Sequence, residues 1–74
     1  MSFDYSALKG KIIEVYGTRR KFAEAMGMTQ SSLSCKLSGA VKWAPAEMYK
    51  AQELLGFPDD QICVYFFKRK VHNS

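Results

Sequence analysis

Apolar residues first recur in this chain at Leu8, Ile12, Val15 and Tyr16, a spacing that gathers them on one side of an α-helix. Asp4 or Ser6 supplies a side-chain cap at its start, and Gly17 supplies the break at its end. Thr18 then caps a second helix running to Met26, with Phe22, Ala23 and Met26 as its apolar stripe and Gly27 as the left-handed residue that ends it. Thr29 caps a third helix that reaches Ser38 and stops at Gly39, with Leu33 and Leu37 as its inward anchors.

After the loop AVKWA, Pro45 suits a first helical turn and Glu47 places an acid where the helix dipole favours one. Met48, Ala51 and Leu55 carry this fourth helix to Gly56. The segment DDQICVYFF is ambiguous: Ile62, Tyr65 and Phe66 fit a helix, whereas Ile62, Val64 and Phe66 fit a strand. A short fifth helix is the preferred reading. Five short helices without a hairpin predict an all-α, compact bundle, with residues 1–67 as the domain and 68–74 as a basic C-terminal tail.

The third helix is unusual in what it shows outward. It carries four serines and a glutamine, where a supporting helix normally exposes long alkyl or charged side chains of higher helix propensity. With Leu33 and Leu37 inward, a rotation of about 100° per residue puts Ser31, Cys35 and Ser38 on the opposite side, flanked by Ser32 and Ser34. Small side chains there point to a surface that something approaches closely.

Composition narrows the field. At 74 residues there is room for one domain, which removes only about 60% of the extended chain's surface from water on folding. No apolar run approaches the roughly 20 residues a membrane span requires and no leader is recognised, so a cytoplasmic protein without a membrane partner is expected. Cys35 and Cys63 have neither metal-ligand nor disulfide-framework spacing, and no cofactor, metal or small-molecule substrate is expected. His72 stands alone in the tail, and with neither a paired-carboxylate pocket nor a glycine-rich phosphate loop the chain is not expected to be an enzyme.

The net charge of +4 is unevenly spread. Arg19, Arg20, Lys21, Lys36 and Lys42 face only Glu24 across residues 19–42, whereas Glu47, Glu53, Asp59 and Asp60 face only Lys50 across 44–62. Such a cluster is either a solvated face or a polyanion-binding surface.

Helices two and three are joined across Gly27 and Met28, and Ala23 is small enough to let them meet, which is a helix-turn-helix arrangement. In the segment FAEAMGMTQSS the sequence resembles the helix-turn-helix family of phage repressors and Cro-like proteins, closely over residues 19–39 and in helix order over 4–67. The resemblance implies a lambda repressor-like fold and a phage- or prophage-type transcriptional regulator. Such a protein occupies a palindromic double-stranded DNA operator, as a homodimer, with its third helix in the major groove.

It also implies roles for particular residues. Gln30, Ser31, Ser34 and Cys35 would contact bases, against the plainer readings of a solvated helix surface and, for Cys35, of partial burial. Thr18, Arg19, Arg20, Lys21, Thr29, Ser38, Lys42 and Trp43 would contact phosphates, although a tryptophan in so short a chain also fits the core. CVYFF is the candidate dimer interface or, equally, the closure of the monomer core. One position departs from the family pattern: Lys36 stands where an apolar residue is usual, which suggests a rotated third helix. The rival reading is a protein-interaction module, antirepressor or antitoxin-like, with an exposed apolar patch around Trp43 or around Phe66 and Phe67.

Overall fold

Thr18 and Thr29 set the architecture, because each stops one backbone direction and starts another. In the computed structural model, which describes residues 3–69, the helices are α1 (Ser6–Tyr16), α2 (Arg19–Met26), α3 (Gln30–Ser38), α4 (Pro45–Leu55) and α5 (Ile62–Phe66). The Thr18 hydroxyl accepts from Lys21 N and the Thr29 hydroxyl from Ser32 N, each satisfying a first-turn amide that the helix leaves open. A 3₁₀ turn, Asp59–Gln61, leads into α5, so the ambiguous aromatic segment is helical. Among the described residues the extended pairing is an isolated antiparallel bridge between Phe3 and Arg69, with Asp4 N donating to Lys68 O. The tail from Lys70 onward, with His72, lies outside the described residues.

Gly27 makes the sharp turn between α2 and α3. Its φ is 77°, and its N–H and that of Met28 close back on the Glu24 and Ala23 carbonyls, a double closure that needs the left-handed backbone. Lys50 reaches over from α4 to donate to the Met26 carbonyl, placing a positive charge at the negative end of α2.

The stripes read from the sequence converge on one core. Leu8, Ile12, Phe22, Ala23, Met26, Leu33, Leu37, Ala51 and Leu55 are all buried in it. Val15, expected on the inner stripe of α1, is instead exposed together with Ile13, and Leu8 and Ile12 alone of that helix are fully inside. At the other end Trp43 packs edge-on to Phe66 with ring centroids 5.1 Å apart, and Phe57 stacks on Tyr65 at 4.4 Å. No described helix is long and apolar enough to cross a membrane.

Candidate functional site

The α3 face is built from its two ends. At the start, the Thr29 and Ser32 hydroxyls are 3.0 Å apart and hydrogen bonded, so both serve the cap. At the finish, Gly39 takes a left-handed φ of 89°, and the Cys35 carbonyl accepts from Ala40 N, Val41 N and the Ser38 hydroxyl. Between these ends Gln30, Ser31, Ser34 and Cys35 are all exposed, and the side chains of Gln30, Ser31 and Ser34 make no hydrogen bond among the described residues. The small-residue face is therefore real, with Ser31 and Ser34 one turn apart on it.

Lys36 does not rotate the helix. Leu33 and Leu37 remain buried, Cys35 is exposed rather than half-buried, and the Lys36 position still points inward. The lysine fits because its alkyl stem lies along the core while its ammonium meets Glu47 Oε1 at 2.9 Å and the Lys42 carbonyl at 3.3 Å, 5.9 Å from the centre of the Trp43 ring. Glu47 Oε1 also accepts from Ala44 N at 2.8 Å, so one carboxylate caps α4 and ties it to α3.

The Ala44 amide lowers the Glu47 carboxyl most; partial burial opposes it, and the Lys36 ammonium lowers it further, leaving it below its ordinary value. A carboxylate with a depressed folded-state pKa stabilises fully above the unfolded value of about 4.3, and loses that contribution as pH falls through the folded value. Glu47→Gln should therefore cost about 1 kcal/mol at neutral pH. Urea unfolding of both chains should show this gap closing as the pH drops below about 4. A gap that stays constant down to pH 3 would assign the whole effect to shape rather than charge.

The other expected contacts separate. Arg19, Lys21 and Lys42 are exposed, Arg20 pairs with Glu24 at 3.6 Å, and the Thr18 hydroxyl is held by its cap. Trp43 lies in the core rather than on the surface. It is only 5% exposed, because the chain returning from Gly39 turns it inward onto Phe66, and its indole N–H has no acceptor among the described residues.

Two hollows flank Val41. One, of about 240 Å³, lies against Ser31, Ser32, Cys35 and Lys36. The other, of about 320 Å³, is lined by Phe3, Trp43, Met48, Phe66 and Phe67 among others, and Val41 borders both. Val41 and Phe67 are each nearly half exposed, and Phe3 meets Phe67 edge-on at 5.8 Å. The apolar patch expected of an interaction module is thus present at Phe67, with Trp43 and Phe66 forming its inner wall rather than its surface. The sequence placed none of Phe3, Val41 and Met48 at a site, Met48 being read as part of the inner stripe of α4. A β-branched residue in the loop after Gly39 was the available signal for Val41, whereas Phe3 joins the site through the bridge to Arg69 and its contact with Phe67, which link the two ends of the described chain.

Comparison with known proteins bears on what this face meets. The family described as "Protein of unknown function (DUF739)" matches residues 1–69. Among solved structures, the chain is similar to the modulator of repression of the temperate bacteriophage TP901-1 from Lactococcus lactis, at 46% identity, with a TM-score of 0.80 and 97% of each chain covered. A search of curated proteins returns no match.

These findings correct the resemblance drawn from FAEAMGMTQSS. The likeness is to a modulator of repression and not to the repressor and Cro-like family, and with it goes the expectation of a regulator that itself occupies an operator. The physical reason is that Ala23, Gly27 and the Thr29 cap specify how two helices pack, and that geometry does not fix what the second helix touches. The expected phage setting is the one this relative comes from.

Proposed function

We propose that this chain, which belongs to the DUF739 family, modulates repression by binding a protein of the repression system, acting as a non-catalytic interaction module. The observation that carries this reading is the end-to-end likeness to a phage protein described as a modulator of repression. The surface is consistent with it. Interaction sites on small soluble domains combine an apolar centre with a polar rim, and here Val41 and Phe67 lie beside the serines of α3. The partner proposed is a repressor, and the face proposed for it is α3 with the loop through Val41.

The purified chain mixed with the repressor encoded in the same phage or prophage genome should sediment as one complex. The same chain alone, selected against a random DNA pool, should return no enriched motif. Co-expression should change the output of a promoter under that repressor's control. A reproducible DNA motif selected by the chain alone, with no complex in the sedimentation experiment, would reverse the proposal.

A further inference from the structure

The larger hollow beside Val41 has features that a plain surface depression lacks. Its walls are mostly rings and aliphatic carbons from four stretches of chain: Phe3, Val41 with Trp43, Met48, and Phe66 with Phe67. At about 320 Å³ it is large enough for one bulky side chain, and a few such anchors carry most of the binding energy at protein interfaces. Trp43, buried in its wall, keeps an indole N–H without an acceptor among the described residues.

The exposed charges around it are mostly positive. Lys42 lines the hollow, and Lys68 and Arg69 follow Phe67, all exposed. Between Glu24 and Glu47 the chain has no acidic residue. Of the nearby carboxylates, Glu47 is tied to Lys36 and Ala44, and Asp4 accepts from the backbone and hydroxyl of Ser6. Lys42, Lys68 and Arg69 form no ion pair among the described residues, so the opening is apolar with exposed cations beside it.

We infer that this hollow receives an acidic-apolar segment of the protein partner: one large apolar side chain enters it, and a neighbouring carboxylate meets Lys42. This rests on the protein-binding function proposed above and adds the chemistry of the segment bound. Complementary charge on the rim sets the choice among apolar segments, because a basic one would meet like charge.

The chain has a single tryptophan, so its indole N–H resonance and its fluorescence report on the hollow without ambiguity. The probes are two capped peptides, Gly-Asp-Leu-Phe-Asp-Gly and its counterpart with lysine in place of each aspartate. The acidic peptide should move the indole resonance and bind at least tenfold more tightly than the basic one. Lys42→Glu should reverse that order, and Val41→Asp should abolish both responses. Both substitutions are at exposed positions, and circular dichroism verifies their folding. An indole signal that neither peptide moves, or equal binding of the two, overturns the inference.

The same variants separate it from the function it rests on. If the unaltered chain binds the repressor and the Lys42→Glu and Val41→Asp chains bind it equally well, the hollow is not the docking point, though the chain remains an interaction module. If the peptides behave as expected and no repressor is bound, the hollow's chemistry stands and the proposed function falls.

Discussion

Phe22→Ala should leave the protein largely unfolded at 37 °C. The ring is fully buried, packs against Tyr16 at a centroid distance of 5.4 Å, and belongs to α2, the helix that touches α1, α3 and α4. Truncating a buried phenylalanine costs about 3–5 kcal/mol, and a single core in a domain this small supplies little more than that. In a thermal melt the midpoint should fall by roughly 12–40 °C, since each kcal/mol shifts a domain of this size by about 4–8 °C. A shift of less than 5 °C would mean that the core repacks around the gap, and that α2 is not the element on which the others are assembled. Phe22 lines neither of the hollows beside Val41, so a loss of binding in this variant reports loss of the fold.

Enlarging the small face of α3 should do the opposite, sparing the fold and removing the interaction. Ser31→Arg combined with Ser34→Trp places two long side chains on adjacent turns of an exposed surface, where substitutions usually change stability by less than about 0.5 kcal/mol. If the repressor sits against this face, the helix backbone is held away from it, and affinity should fall at least a hundredfold, about 2.7 kcal/mol. Titration calorimetry with the repressor measures the loss, and a parallel melt confirms the fold. Affinity within threefold of the unaltered chain would move the docking surface off α3.

The elements that local chemistry dictates were legible in the sequence. Thr18, Gly27, Thr29 and Gly39 act within a few residues of themselves, so the bounds of α2 and α3 follow from the residue types alone. Lys36 was misread because its fitness depends on Glu47, eleven residues away on another helix, and an inward lysine looks like a register error until its partner is known. Val15 shows the converse: its spacing fits the stripe of α1, but the covered line runs through Leu8, Ile12 and Tyr16, four residues apart, and leaves Val15 to one side of it. For the candidate site, the serine-rich face was readable as a place of close approach, because serine contributes little else to a helix. What approaches it was not readable there, since small side chains admit a groove wall or a protein equally well. The second half of the site was hidden for another reason. Phe3 and Phe67 are brought together by the pairing of the two ends of the fold, and Val41 reaches them through the loop closed on the Cys35 carbonyl.

The Cys35 carbonyl, which gathers Ser38, Ala40 and Val41 around the end of α3, has a further consequence for how a complex forms. A backbone residue that must be ordered on binding takes about 1–2 kcal/mol from the affinity. Ala40 and Val41 have already given up that freedom during folding. The loop thus enters an encounter in its final shape, and the conformational entropy of presenting Val41 is charged to the stability of the free protein rather than to the strength of its complex.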